Sequence, residues 1–551
     1  MNKKTLFPIA SFAFSVICLN TANAQWSNNP TVNNAICTET AIQEYPKIIS
    51  DGNGGAIITW SDRRNGTDNN IYAQRIDATG NIQWTAGGVV ICNVGGDQNA
   101  PVIVSDGAGG AIIAWEDYFS GNSDIYAQRI NSSGVTQWTL NGVAICSASE
   151  DQNYIDIISD GVGGAIMVWE DNYGSTIDVY IQKVNSAGVT QWLADGVAIC
   201  TATGDQYTPK LAPDGSGGAV ITWEDQRGAD PDIYAQHINS AGTISGLADG
   251  IAVCNATGNQ FVPSICSDGA GGAIFTWYDR RNGNWDIYAQ KFISGGTPVW
   301  TANGTAICTA SNDQKYPKLV SDQNGGAFIT WQGELSASNN IYAQHINTTG
   351  NTTWTANGIT ICAASGEQYS PEIIADNSGG AIITWSDNRN FNIDIYAQRI
   401  TASGETIWST DGVEISTATN HQGDVKLISD GNDGAIFCWA DLRNTVYDIY
   451  AQNVCASGWL GVCSSSINDS ENAASISVSS SANSVIIECK NISEAQADLS
   501  ILDITGKTIF SQNKVSTAGK IELNTMGFSN GIYLVNLKTN RSTYTAKVFI
   551  N

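Results

Sequence analysis

The sequence predicts an all-β protein: an eight-bladed β-propeller with four strands per blade, followed by a C-terminal β-sandwich. Three observations carry this. Tryptophan recurs at Trp60, Trp115, Trp169, Trp223, Trp277, Trp331, Trp385 and Trp439, first after 55 residues and then every 54. Each of these Trp residues ends a turn-plus-apolar run such as Ser50 to Trp60. A Tyr follows in (Asp/Asn)-(Ile/Val)-Tyr-(Ala/Ile)-Gln, from Tyr72 through Tyr450. The chain has 56 Gly and 17 Trp and no unit shows a 3.6-residue apolar period, which points to short strands and tight turns. A fixed period of this length is the mark of a repeat architecture.

Each unit reads as four strands. In the first, Lys47 to Ser50 is a short apolar run stopped by the turn Asp51-Gly-Asn-Gly-Gly55. Ala56 to Trp60 is the second strand, and the polar stretch Ser61 to Asn70 leads to the third, Ile71 to Ile76. After the Thr79-Gly80 turn, Ile82 to Trp84 and Val89 to Cys92 complete the unit. Four strands per unit suit a propeller blade, whereas the coils of a β-solenoid are usually shorter. Unit eight ends at Tyr450-Ala-Gln without a fourth strand. Near the N-terminus, Gln25-Trp26 followed by Ala35-Ile36-Cys37 resembles Gln83-Trp84 followed by Val90-Ile91-Cys92. The first segment is therefore expected to supply the outer strand of the last blade, closing the ring and removing its open edges.

The start of the chain has the three parts of a secretory signal: Lys3 and Lys4, an apolar stretch from Leu6 to Leu19, and Ala22-Asn23-Ala24. The expected layout is a signal peptide at 1–24, the propeller at 25–463, a Ser/Asn/Glu-rich linker at 464–475 and a sandwich at 476–551. The sandwich strands are Val485 to Glu488, Leu499 to Asp503, Thr508 to Gln512, Lys520 to Leu523, Ile532 to Leu537 and Thr543 to Ile550, with turns at Thr505-Gly506 and Asn530-Gly531. The formal charge of −26 becomes −28 once Lys3 and Lys4 are removed. Such a surface repels nucleic acid and anionic lipid, so neither is expected as a partner. A monomer is expected, with membrane association only through surface attachment.

Residues present in every unit read as architecture. Asp51, Asp106, Asp160, Asp214, Asp268, Asp322, Asp376 and Asp430 share one position. They suit an Asp-Gly turn better than calcium loops, which need several alternating oxygen ligands. The stretch is similar to the Asp-box of sialidase-like propellers, but the Asp-to-Trp spacing differs and no catalytic residue carries over. Gln43 and its seven counterparts are expected to be buried amides bonding backbone between blades. Cys37, Cys92, Cys146, Cys200, Cys254, Cys308 and Cys362 are expected to be free, buried thiols. Asp62 with Arg64, and the same pair in four other blades, reads as a loop-bracing ion pair. Without CxxC or clustered His, neither a metal site nor a cofactor is expected. Cys455 and Cys463, outside the repeat, suit a disulfide.

Positions that vary are the better guide to binding. At the start of the first strand stand Lys47, Val102, Asp156, Lys210, Ser264, Lys318, Glu372 and Lys426. Four of the seven lysines between Gln25 and Cys463 fall here, forming a basic ring at the channel mouth broken by Asp156 and Glu372. Tyr45, Tyr154, Tyr207, Phe261, Tyr316 and Tyr369 lie just before and offer faces for sugar rings. The set Lys47, Asp156, Lys210, Lys318, Glu372, Lys426, Tyr45, Tyr154, Tyr207, Tyr316 and Tyr369 is the expected ligand site, for a carboxylate, a sulfate or an acidic sugar.

Leu502-Asp503-x-x-Gly506-Lys507, Gly531-Ile532-Tyr533-Leu534-Val535 and the terminal Lys547-Val548 resemble the type A C-terminal sorting domain of type IX secretion cargo from Bacteroidota. The resemblance covers about the last 75 residues. The Asn-Pro usual near the start of that domain is replaced by Ser481-Ala482-Asn483. It implies an Ig-like sandwich, engagement of the type IX machinery, and a secreted or outer-surface location. The reading that follows is a surface or secreted binding module for glycans or other extracellular ligands. A glycan-cleaving hydrolase or lyase and a structural or adhesive surface protein are the alternatives. No single blade carries a distinctive catalytic constellation, and uniform loops favour binding or structure.

Overall fold

In the computed structural model the described residues are 25–172, 174–334, 338–463, 475–481, 484–490, 492, 495–503, 507–517, 519–529, 531–539 and 543–550. The expected signal peptide and nearly all of the expected linker lie outside them, as do the Thr505-Gly506 turn and Asn530. The chain forms two compact units, 1–463 and 464–551.

The first unit is an eight-bladed propeller. Each blade is an antiparallel sheet ordered from its first strand outward, as in Gln43–Ser50, Ala56–Asp62, Asn70–Ile76 and Val89–Cys92 of blade 1. The inner strand of every blade packs on that of the next, and that of blade 8, Gln422–Ser429, packs on that of blade 1. Asn34–Cys37 pairs antiparallel with Asp448–Val454 and completes blade 8. The ring therefore closes through the N-terminal strand.

Two details differ from the sequence reading. The inner strand begins at Gln43, not Lys47, because a bulge interrupts its alternation: the register slips between Glu44 and Lys47. The Ile82 segment contributes only an isolated bridge to Ile76 in blade 1, leaving Val89–Cys92 as the outer strand.

The eight repeat Trp side chains are fully buried and anchor the blade cores. In seven of the blades the Asp two residues on accepts the indole N–H. In blade 1 the Trp60 indole N–H donates to Asp62 Oδ2 at 2.8 Å. Arg64 forks onto the same carboxylate, Nε to Oδ1 at 2.9 Å and Nη2 to Oδ2 at 2.5 Å, and lies 3.8 Å over the Tyr72 ring. Arg64 also donates to the Gly87 carbonyl and reaches Cys37 Sγ at 3.2 Å. Arg227, Arg281, Arg389 and Arg443 repeat the fork and the stacking. Burial pushes the Cys37 and Cys200 thiols up to about 12, so they stay protonated and unreactive.

The repeated Gln ties blades together by its backbone, not its side chain. Gln206 N–H donates to the Ile177 carbonyl of the preceding blade at 2.7 Å, and Gln43 N–H to Tyr447 across the seam at 2.8 Å. The amide groups bond their own loops, as Gln206 Nε2 does to Gly204. Cys455 and Cys463 are joined by a disulfide.

The second unit is a sandwich of a three-stranded sheet and a four-stranded sheet whose edge strand is Thr543–Ile550. Its core holds Val485, Ile487, Leu499, Ile501, Val535, Leu537 and Val548. Ser475–Ser481 adds a strand that its serine-rich sequence did not announce.

Candidate functional site

The bulge of the inner strand builds the channel mouth. One non-glycine residue per blade takes positive φ there: Tyr45 at 57°, Ala100, Tyr154 at 56°, Thr208, Val262, Tyr316 at 54°, Ser370 and Asp424. The next residue is Pro in six blades, for example Pro46 and Pro209. The residue after that is the Lys, Asp or Glu position that varies around the ring.

The expected site residues divide among three adjoining cavities. Tyr45, Lys47, Tyr154 and Lys210 line one of about 630 Å³. Tyr316, Lys318, Tyr369, Glu372 and Lys426 line a second of about 440 Å³. Lys47, Asp156, Lys210, Glu372 and Lys426 meet in a third of about 300 Å³. Tyr207 lines none of these. It occupies the register one residue before Tyr45 and Tyr154, and its hydroxyl donates to Asp205 of its own loop at 2.9 Å. Tyr45, Tyr154 and Tyr316, on the bulge itself, are 47%, 64% and 45% exposed.

The basic ring is unevenly neutralised. Glu372 binds Lys426 at 2.5 Å and Lys318 at 3.8 Å. Burial pushes its carboxyl up, but Lys318, Lys426 and Lys47 outweigh this and hold it down at about 2. Glu372 is thus a counter-ion rather than a mere gap in the ring. Lys47 and Lys210 have no carboxylate within 4.0 Å among the described residues. Burial, then the neighbouring Lys426, pushes Lys47 down to about 8.

Two groups escaped the sequence reading. Glu116, Glu170 and Glu224 follow the repeat Trp in three consecutive blades only, which was the available signal. Their carboxylates accept the backbone N–H of the bulge residue in the next blade: Tyr154 at 2.8 Å, Thr208 at 2.6 Å and Val262 at 2.6 Å. Burial pushes Glu116 and Glu170 up to about 7. The second group is aromatic: Tyr278 packs edge-on against Trp285 at 4.9 Å and Tyr316 at 5.7 Å, with Phe261 alongside.

Residues 462–551 match the family described as the secretion system C-terminal sorting domain. The chain is type IX secretion cargo. Its destination is therefore outside the cell or on the outer cell surface. No curated protein matches this cargo. Its likeness to solved structures is distant. A puromycin-hydrolysing peptidase of Mycobacterium tuberculosis is 10% identical with a TM-score of 0.39, the match covering 76% of this chain and 61% of the peptidase. The cargo thus spans under two thirds of that protein. A polysaccharide lyase, an ulvan lyase, is 12% identical with a TM-score of 0.43, covering 69% and 96%. An α-L-arabinanase of Penicillium chrysogenum is 12% identical with a TM-score of 0.32, covering 56% and 94%.

Proposed function

We propose that the propeller is an extracellular binding module whose channel mouth takes an acidic saccharide. The observation that carries this is the pair Lys47 and Lys210: two ammonium groups without carboxylate partners in a cavity edged by exposed Tyr45 and Tyr154, on a chain of strongly negative charge. The ammonium groups meet a carboxylate or sulfate, and the phenol faces stack on the sugar rings. Glu372 neutralises the other half of the ring and directs the anion toward Lys47 and Lys210.

A glycan array with the mature chain tests this. Uronate-bearing or sulfated glycans bind and neutral ones do not. Lys47→Ala with Lys210→Ala lowers affinity about tenfold or more, while Lys315→Ala, at a lysine paired with Asp313 at 2.7 Å, leaves it unchanged. Equal binding of neutral glycans, or full affinity in the double variant, ends the reading. Binding also weakens as pH rises through about 8, where Lys47 loses its proton.

One observation favours a second reading, a glycan-cleaving enzyme: Glu116 and Glu170, pushed up to about 7, sit on the same face and suit general acid–base work at neutral pH. New reducing ends or unsaturated products from acidic polysaccharides, lost in Glu170→Gln with binding intact, would establish it.

A further inference from the structure

Seven of the eight turns that begin with the repeat Asp hold a basic side chain. One carboxylate oxygen closes the turn, as Asp51 Oδ1 accepts the Asn53 and Gly55 N–H groups at 2.8 and 2.9 Å. The other oxygen meets a cation: Asp51 with Arg75, Asp106 with Arg129, Asp160 with Lys183, Asp268 with Lys291 and Asp376 with Arg399, and by the same geometry Asp214 with His237 and Asp322 with His345. The partner always stands at one register position of the third strand, opposite the second residue of the second strand, as Arg75 stands opposite Ile57 and Lys183 opposite Ile166. It also reaches the next blade: Lys183 Nζ donates to the Gly217 carbonyl at 3.1 Å and Lys291 Nζ to the Gly325 carbonyl at 2.9 Å.

Blade 8 breaks this rule. Opposite Ile436 stands Asn453. Its amide nitrogen turns toward the Gly461 carbonyl at 3.2 Å and Cys463 Sγ at 3.1 Å. Asp430 Oδ1 still closes its turn onto Asn432 and Gly434. Among the described residues Asp430 Oδ2 and Asn453 Oδ1 are left without hydrogen-bond partners, on side chains only 5% and 2% exposed. The turn differs at one further position: Asp433 stands where blade 1 has Gly54, its Oδ2 accepting from Ser378 and lying 3.3 Å from Arg399 of blade 7, and its charge adds to that of Asp430. A Cβ on Gly54, in the neighbouring blade 1, would stand 3.8 Å from the Asp430 carbonyl oxygen, as one on Gly217 would stand 3.7 Å from that of Asp160. Gly54 is the repeat equivalent of Gly217, whose carbonyl accepts from Lys183. A buried carboxylate without a counter-charge is costly, and here a cation is missing where the fold elsewhere provides one.

We propose that the closing blade binds one hard metal cation, with Ca²⁺ as the type case, at Asp430 Oδ2, in the place that a guanidinium, ammonium or imidazole fills in the other seven. Asn453 Oδ1 and the Gly54 carbonyl are the further oxygen ligands. A carboxylate, an amide and a backbone oxygen form a donor set for Ca²⁺ or Na⁺ rather than for Zn²⁺, and the nearby Cys463 sulfur is held in its disulfide. The cation locks the seam where the last blade meets the first.

The test is calorimetric titration and thermal unfolding of the mature full-length chain after chelation, with CaCl₂ and with NaCl in separate arms. One cation binds per chain, and at saturation the melting temperature rises by about 2 °C or more. Asp430→Asn removes both effects, and Asp160→Asn, at a turn that already has Lys183, removes neither. Asn453→Lys places an ammonium in the position; the metal-free variant melts higher than the metal-free wild type and no longer responds to cation. Should Asp430→Asn fail to fold, Asn453→Lys decides. No response to either cation, a response surviving Asn453→Lys, or eight equivalents bound would overturn the proposal. The first of these outcomes would mean that Asp430 is satisfied by its own proton.

Discussion

The core of each blade and the mouth of the channel are built from the same strands, a few residues apart, yet they follow opposite rules. In the core, Trp223 and Arg227 share the Asp225 carboxylate and Arg227 stacks on Tyr234, and the same set recurs in four other blades. At the mouth, Lys47, Val102, Asp156 and Lys210 occupy one position in successive blades with different partners or none. For these charged groups, repetition goes with internal pairing, and variation goes with groups left open to something outside. An ion pair found in five blades is a brace; an unpaired ammonium found in two is a candidate contact.

The comparison can be broken most sharply in the core. Asp225→Ala strips the acceptor from the Trp223 indole and leaves the Arg227 guanidinium part-buried beside Cys200. The expected loss is about 3–5 kcal/mol in chemical denaturation of the full chain. A loss below about 1 kcal/mol would show that the repeated cluster is not what holds the blades.

At the mouth, Glu372→Gln has opposite effects on stability and binding. Glu372 is held at about 2, below its ordinary 4.5. Its contribution is therefore present above pH 4.5 and fades as pH falls toward 2. The variant is less stable at pH 7 by on the order of 2 kcal/mol, and the gap closes in acid. Affinity for acidic glycans rises, because Lys318 and Lys426 are released.

Glu170 sharpens the comparison from the other side. Its carboxyl is pushed up to about 7 by burial, so its neutral form is the one the fold prefers. Any stability it adds is present below about pH 4.5 and is lost as pH rises through 7. Glu170→Gln keeps an oxygen for the Thr208 N–H, leaves stability nearly unchanged at pH 4, and raises it by about 1–2 kcal/mol at pH 8.5 in urea titrations.

The smallest effect lies in blade 6, where Gly333 replaces the Asp and the buried Trp331 indole N–H has no acceptor among the described residues. Gly333→Asn supplies one. A Cβ there meets Gln314 Cγ at 3.3 Å, a contact that a slight shift relieves. A gain of about 1 kcal/mol is expected in the same urea titration.

The period, the blade count and the closing strand were legible because eight near-copies align by Trp alone and because Ala35-Ile36-Cys37 copies an outer strand. The bulge at Tyr45 was not legible, since a two-residue alternation carries no mark of a skipped partner. That bulge splits the tyrosines into two registers, which is why Tyr207 turns to Asp205 while Tyr154 stays exposed. The lysine positions could be read from the repeat, but the pairing of Glu372 with Lys318 and Lys426 needed the spacing between neighbouring inner strands. Glu116, Glu170 and Glu224 were overlooked because a carboxylate beside a repeated Trp looks like an outward loop residue until the next blade's backbone is seen against it.

The strand Asn34–Cys37 is among the first parts of the ring to be synthesised and the last to find its mate, because that mate ends at Val454. Asn33 already spans most of the chain to donate to the Ile415 carbonyl. Seven blades can assemble in sequence, but an emerging chain carries a loose leading segment and an unzipped final sheet until the last repeat is complete. Truncation just short of residue 448 should therefore leave a sticky, protease-sensitive particle. A separate peptide covering residues 25–40 should compete with the chain's own end for the open groove, giving a direct handle on when the circle locks.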